Sequence, residues 1–323
     1  MQSEVMEHYG FAKDFKQAGY FETEHHQAVF KEIKAAIQSG RIITLSGIVG
    51  CGKTKTLQRL QQELISEKQV LVSRSFSIEK ARVNIGTLTT AMFLDLVKDK
   101  DFKAPNDTER RDRTLRDVIC KSRRPVALFI DEAHDLHPKT LVQLKRLVEL
   151  IEASGGILSV VLAGHPKLKN DLGRAAMEEI GSRTTRIQLE GIKGYQCNYI
   201  EWLLAECRTP KAKLAGQLTD EALQYLSERL ATPLQIEYYL GRAFEEGYLM
   251  GQTPVTQEIV ESVLAPDLDE LEAKLTRQGY SVKVLSELLN VKHAEIRSFM
   301  HGQLPTGRSE ELRDQLLAMG LPL

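Results

Sequence analysis

Two short stretches of the sequence contain the residue types that bind and hydrolyse nucleoside triphosphates. The first, LSGIVGCGKTKT at 45–56, fits the pattern G-x-x-x-x-G-K-T. Glycines in such a loop let backbone N–H groups curl around phosphates, and the N-terminus of the following helix adds partial positive charge. An incidental glycine turn is the alternative, but an apolar strand before the loop and a helical pattern after it favour phosphate binding. We expect ATP to be bound by Gly47, Gly50, Cys51, Gly52, Lys53, Thr54 and Lys55.

The second stretch, FIDEAH at 129–134, is an apolar run that ends in two acids. We expect Asp131 to hold Mg²⁺ through water, together with the hydroxyl of Thr54, and Glu132 to polarise the attacking water. Such an acidic pair can instead cap the next helix. Its position after the glycine loop favours catalysis, so the sequence predicts an ATPase with ATP and Mg²⁺ as cofactors.

The elements that must position these residues alternate between apolar strands and amphipathic helices. Strands are predicted near 41–46, 70–76, 125–130, 156–164 and 185–189. This alternation predicts a doubly wound α/β P-loop fold, with a parallel sheet and helices on both faces. From about 194 onward the pattern is purely helical. We therefore predict three domains, a nucleotide-binding α/β domain at 1–193, a helical lid at 194–264 and a C-terminal helical domain at 267–323.

Composition limits the partners only loosely. The chain has 323 residues, 42% of them hydrophobic, and a formal net charge of −1, so any surface for nucleic acid must be local. Its four cysteines show no metal-type spacing, which fits a reduced cytosol. No apolar stretch is long enough to span a bilayer. We expect a cytoplasmic bacterial protein without a membrane partner.

Five stretches together resemble a known family. They are HYGF at 8–11, the glycine loop, FIDEAH, VVLAGHPKL at 160–168 and SRTTRIQLEGI at 182–192. Over about residues 6–250 the chain resembles the AAA+ ATPases, and within them the ExeA-like branch that includes the transposition ATPases TniB, TnsC, IstB and Mu B.

The resemblance implies roles for two further residues. His165 would be the sensor near the γ-phosphate, although it can also be a helix cap. Arg183 would be the arginine finger that reaches a neighbouring subunit's site, with Arg186 as second choice and a solvated arginine as the alternative. One departure from the family is Leu234, which stands where relatives often carry a sensor arginine, and for which Gln235 or Arg242 would partly substitute. This predicts slow or partner-dependent hydrolysis.

Two regions are candidates for DNA contacts. The resemblance places pore-facing contacts after the second strand, where the chain carries Arg74, Lys80 and Arg82. The segment 108–124 holds seven basic and three acidic residues, which also fits a solvated helix with internal ion pairs. The tail at 280–305 resembles a helix-turn-helix whose second helix presents Lys292 and Arg297, or else a helical module that docks on a protein partner.

The combined interpretation is an ATP-dependent, DNA-binding regulator of transposition. ATP would assemble a homo-oligomer, either a ring or a helical filament, around duplex DNA, and the oligomer would recruit a transposase. An ExeA-type secretion ATPase would carry a membrane span and a wall-binding segment, which the sequence does not show. A helicase loader, a secretion-associated ATPase and an ATPase switch without DNA remain as alternatives.

Overall fold

The computed structural model describes residues 1–75, 83–99, 102–173, 177–210, 216–264, 268, 270–321 and 323. Two candidate DNA contacts, Lys80 and Arg82, lie outside the described residues. Within the described part, no helix is long and apolar enough to cross a membrane.

Five strands and sixteen α-helices are described. The strands are β1 (Ile42–Ser46), β2 (Leu71–Arg74), β3 (Val126–Ile130), β4 (Leu158–Gly164) and β5 (Thr184–Gln188). The helices are α1 (Ser3–Tyr9), α2 (Glu24–Gln38), α3 (Lys53–Glu67), α4 (Ile85–Leu96), α5 (Thr108–Ser122), α6 (Pro138–Glu152), α7 (Pro166–Asp171), α8 (Glu178–Gly181), α9 (Gln196–Cys207), α10 (Asp220–Arg229), α11 (Pro233–Leu249), α12 (Gln257–Val263), α13 (Leu271–Arg277), α14 (Val282–Leu289), α15 (His293–Met300) and α16 (Thr306–Ala318).

The chain divides into two compact units. One contains the sheet and consists of Glu24–Ile48 and Lys53–Leu189; the other is helical and consists of Met1–Thr23, Val49–Gly52 and Glu190–Leu323. The three-domain boundaries drawn from the sequence stay a prediction.

The sheet-containing unit has the predicted α/β architecture. Its strands pair in the order β2-β3-β4-β1-β5, and every pair is parallel. Every residue of β1, β3 and β4 is buried, as expected for central strands of a parallel sheet flanked by helices. The predicted fold class is confirmed.

The strand directions decide where the candidate residues lie. The carboxyl ends of β1, β3 and β4 meet at one edge of the sheet, because all three strands are parallel neighbours. Those ends lead into the glycine loop, into Asp131 and into His165. Arg183 precedes β5, and the register pairs Ile42 with Thr184, so Arg183 lies at the opposite, amino edge.

The helical unit has two separate hydrophobic clusters. One packs helices α9 to α12 and α1 around residues such as Phe244, which contacts the rings of Tyr9 and Phe11. The other belongs to α13 to α16 and buries Leu285, among others. These C-terminal helices include the two predicted at 280–305, and α14 ends at a residue in the left-handed conformation, Asn290.

Gly181 offers a stability test of the sheet-containing unit. A Cβ at this position would overlap the carbonyl oxygen of Leu172, so Gly181→Ala forces the backbone apart. We expect it to lower the free energy of unfolding by about 1–3 kcal/mol, measured by urea unfolding followed by circular dichroism. Gly307→Ala in α16 is the control, because its Cβ would meet open space, and it should leave stability unchanged or raise it by up to about 1 kcal/mol. Equal stability of the two variants would contradict the close contact.

Candidate nucleotide-binding site

The lysine of the glycine loop is held by the loop's own carbonyl groups. Lys53 is the first residue of α3 and is 6% exposed. Its ammonium group donates to the carbonyl oxygens of Gly47 at 2.9 Å and Ile48 at 3.0 Å. A buried charge is tolerated when such partners satisfy it. The side chain is therefore fixed beside the carboxyl end of β1, where a phosphate can replace the carbonyls as its acceptor.

Thr54 and Asp131 are joined directly. The Thr54 hydroxyl donates to Oδ2 of Asp131 at 2.6 Å, and the other carboxylate oxygen accepts the N–H of Glu132 at 2.9 Å. Two oxygen ligands this close, one beside β1 and one after β3, match the preference of Mg²⁺ for oxygen. Thr54 and Asp131 are the residues that would hold this ion, and the charge it supplies would offset that of the phosphates.

Glu132 follows in an unusual backbone conformation. Its φ of 53° and ψ of 38° lie in the left-handed region, which costs a non-glycine residue about 1–2 kcal/mol. Its side chain does not cap the short 3₁₀ turn at Ala133–Asp135 and is 46% exposed. The helix-capping alternative for this acid therefore does not hold. Backbone strain of this kind concentrates at functional sites.

Two stacked histidines face the Glu132 carboxylate. The rings of His134 and His165 lie 3.8 Å apart between centroids, at an interplanar angle of 23°. Their Nε2 atoms are 3.5 Å and 3.9 Å, respectively, from Oε2 of Glu132. His165 occupies the N-cap position of α7 but makes no capping hydrogen bond through its side chain, so the helix-cap alternative does not hold for it either.

The surroundings of His165 keep its imidazole neutral. Burial, followed by the neighbouring His134 and then Lys53, lowers the pKa of His165 to about 4. At pH 7 the ring therefore carries no charge and offers one N–H donor and one acceptor. A neutral imidazole beside Glu132 suits a sensor of phosphate, because it can donate a hydrogen bond without placing a second positive charge next to Lys53.

The middle of the glycine loop, Val49–Gly52, groups with the helical unit. The carbonyl of Gly50 accepts the N–H of Leu234 at 3.3 Å, and a Cβ at Gly50 would come within 2.7 Å of that leucine's Cβ. With a φ of 80°, Gly50 is a position where only glycine fits. The N–H of Val49 donates to the carbonyl of Arg277 at 2.8 Å, so the C-terminal helices also contact the loop.

Leu234 thus occupies the place where the resemblance expects a sensor arginine. The side-chain oxygen of Gln235 accepts the N–H of Ala231 at 3.0 Å and is committed to the start of α11. Arg242 lies eight residues farther along the helix, about 12 Å from Leu234. The proposal that Gln235 or Arg242 partly substitutes for the sensor arginine stays a prediction.

The candidate finger Arg183 lies away from Lys53. It sits at the amino edge of the sheet, whereas Lys53 lies past the carboxyl edge, and a strand of five residues spans roughly 16 Å. The side chain of Arg183 is 61% exposed and forms an ion pair with Glu149, which also contacts Lys145 at 3.2 Å. Arg186, the second choice, donates to the carbonyls of Leu172 and Gly181, so its guanidinium group is already bonded within its own chain.

The described candidates for DNA contacts lie on different elements. Arg74 ends β2, and its N–H donates to Asp95 at 3.0 Å. Lys292 and Arg297 are both exposed, one just before α15 and the other on it. In α5, Arg113 pairs with Glu109 and Arg116 with Asp117, as the solvated-helix interpretation of this segment predicts.

The sequence interpretation assigns no role to three residues near Glu132 and Arg183, namely His134, Glu149 and Lys145. His134 lies in FIDEAH, and its spacing from Asp131 is the one feature of the sequence that could have identified it as a residue of the site. Glu149 and Lys145 belong to an ordinary amphipathic helix, and only the folded chain brings them to Arg183.

Part of the chain is similar in sequence to a known protein. General secretion pathway protein A of Aeromonas hydrophila is 28% identical over 172 residues, which is 50% of this chain and 29% of that protein. The match therefore spans less than a third of its length.

Two solved structures share the fold. Cdc6p from Pyrobaculum aerophilum has a TM-score of 0.52 at 14% identity, covering 99% of this chain and 90% of that one. The Drosophila origin recognition complex bound to DNA contains a chain with a TM-score of 0.52 at 16% identity, covering 98% of this chain and 83% of that one. Residues 36–172, which include Lys53, Asp131, Glu132 and His165, match the family model of the AAA domain.

Proposed function

We propose that the protein is an ATP-dependent, oligomerising DNA-binding AAA+ ATPase that regulates transposition by marking target DNA and recruiting a transposase. The observation that carries the ATPase part is the meeting of Lys53, Thr54, Asp131 and Glu132 at one edge of the sheet, with the hydroxyl of Thr54 and the carboxylate of Asp131 already 2.6 Å apart.

Each residue of this edge has a separate task in hydrolysis. Lys53 binds the β and γ phosphates of ATP by charge and hydrogen bonding. The carboxylate of Glu132 accepts a proton from the attacking water, and the Nε2 atoms of His134 and His165 lie close enough to keep that carboxylate in place. The resemblance expects a sensor arginine at the position of Leu234, and its replacement by leucine supports slow or partner-stimulated turnover.

The position of Arg183 supports a role between subunits. An arginine at the amino edge of the sheet does not reach phosphates bound at the carboxyl edge of the same sheet, but it can enter the site of a neighbouring copy. ATP would then join subunits into a ring or helical filament.

Duplex DNA is the proposed binding partner of the oligomer. Its support is the resemblance to transposition ATPases, the exposed Lys292 and Arg297, and the fold shared with a complex solved on DNA. The C-terminal helices α14 and α15 would supply a contact of the helix-turn-helix type, to DNA or to the transposase.

A second candidate is a secretion-associated ATPase. The match to general secretion pathway protein A favours it, and that match is confined to 29% of the relative's length. A protein of this class would hydrolyse ATP without affinity for DNA, so DNA binding separates the two candidates.

Glu132→Gln tests the catalytic base. Hydrolysis should fall about 10²–10⁴-fold, because a positioned base typically contributes that much, while ATP binding persists. Phosphate release and binding of a fluorescent ATP analogue are the two measurements. Asp135→Asn, which removes a nearby exposed carboxylate, should retain turnover. Wild-type turnover in Glu132→Gln would move the base to another residue.

Mixing two inactive variants tests the role of Arg183. Arg183→Ala keeps its own nucleotide site but lacks the finger, and Glu132→Gln keeps the finger and binds ATP but lacks the catalytic base. An equimolar mixture should regain about a quarter of wild-type ATPase activity, since random assembly pairs a finger with an intact site at one interface in four. Arg146→Ala, an exposed arginine on α6, should be active alone. No recovery on mixing would place Arg183 outside the neighbour's site.

Sedimentation with duplex DNA tests the function as a whole. In the presence of ATP or a non-hydrolysable analogue, the protein should form large complexes on a duplex, and without nucleotide it should not. A preference for single strands would favour the helicase loader. Assembly that needs ATP but no DNA would favour the switch, and hydrolysis without DNA affinity at any salt would favour the secretion-associated ATPase.

A further inference from the structure

A cavity of about 410 Å³ lies in the sheet-containing unit, and none of its lining residues belongs to the nucleotide site. It is lined by the start of α4, the start of α5 and the start of α6. Helix α6 follows β3, so its start lies on the side of the sheet's carboxyl edge, the edge that also carries Asp131. The lining residues that matter below are Asn84, Gly86, Thr108, Arg111, His137 and Lys139.

The described residues that line this cavity carry positive charge. They include Arg111 and Lys139, together with the imidazole of His137, and none of these described residues is an aspartate or glutamate. Within the described part of the chain, neither Arg111 nor Lys139 has a carboxylate oxygen within 4.0 Å of its charged nitrogens. This contrasts with Arg113 and Arg116 of the same helix as Arg111, which are both paired.

Arg111 is also short of hydrogen-bond acceptors. Its Nε atom is buried and has no partner, and its guanidinium group reaches the Thr108 hydroxyl only at 3.5 Å. Asp112 attracts it electrostatically without forming an ion pair. A buried guanidinium N–H without an acceptor is costly, and an anion in the cavity would relieve that cost.

Further donors point to the same ligand chemistry. Nδ1 of His137 accepts the N–H of Lys139 at 3.1 Å, which leaves the ring proton on Nε2 as a donor. In α4 the side chain of Asn84 caps the N–H of Thr87, whereas the first two amides of the helix, at Ile85 and Gly86, have no acceptor within it. The cavity thus offers charge and donors and few acceptors.

We infer that this cavity binds a phosphate group of a nucleic-acid backbone. The inference rests on the proposed function, which supplies the nucleic acid. The cavity includes no residue of the glycine loop, so the phosphates of ATP are not its occupant. Side chains and backbone amides that bind phosphate oxygens fix the position of a duplex without reading its sequence. A free phosphate presents the same chemistry and is the alternative source.

Paired substitutions give a matched test. Arg111→Gln with Lys139→Gln removes two unpaired charges from the described lining of the cavity. Arg113→Gln with Lys121→Gln removes the same charge from exposed positions of α5 outside it. Both double variants should bind a fluorescent ATP analogue like the wild type, which shows that they are folded.

Duplex affinity is then measured by fluorescence anisotropy across a salt series, in the presence of a non-hydrolysable ATP analogue. The cavity variant should bind at least tenfold more weakly near 0.1 M salt, and its log–log salt slope should fall by about 0.9 for each phosphate that the protein no longer neutralises. The control variant should stay within about threefold of wild type. Equal weakening in the two variants, or none in the cavity variant, would overturn the inference.

A second arm separates the two sources of phosphate. Millimolar inorganic phosphate should raise the melting temperature by only a small amount, and by the same amount in the wild type and in both double variants. Three results together would show that the occupant is a free phosphate and that the nucleic-acid assignment is wrong. Phosphate would stabilise the wild type, this stabilisation would be absent only in the cavity variant, and the duplex affinity of the cavity variant would be unchanged. If the wild type binds no duplex at all, the proposed function fails, and this inference fails with it.

Discussion

The candidate site depends on the parallel pairing of β1, β3 and β4. Parallel neighbours bring their carboxyl ends to one edge, so residues from three distant parts of the sequence meet there. Thr54 then bonds Asp131 across 77 positions of sequence, and His165 stacks on His134. A slip of one residue in any of these pairings would turn the side chains at the strand ends to the other face.

The same edge concentrates polar groups next to a dry core. The burial of Lys53 is balanced by two carbonyl groups, and His165 responds to burial by remaining neutral. Glu132 stays half-exposed but adopts a strained backbone. Three different physical responses therefore keep three ionisable groups together at this edge of the sheet.

Much of the fold could be predicted because its signals are local. Continuous apolar runs mark the buried strands, and the glycine loop and FIDEAH are recognisable within a few residues. The remaining features depend on distant contacts. His134 is notable because it stacks on His165, and Glu149 because it pairs with Arg183. Arg111 is notable because its buried Nε has no hydrogen-bond partner among the described residues. A short stretch of sequence shows none of these features. Leu234 departs from the family pattern already in the sequence, but only its contact with Gly50 shows that the start of α11 is packed against the loop.

The placement of Lys53 and Arg183 on opposite edges of one sheet gives each subunit two unlike ends. If copies join through these ends, the contact is head-to-tail, and nothing in it limits the number of copies. A closed ring of n subunits then has n complete sites, whereas an open row has n − 1, because one terminal nucleotide lacks a neighbour. Turnover per subunit would therefore rise with the length of a filament but stay constant for rings, so that enzyme kinetics alone can report the topology of the assembly.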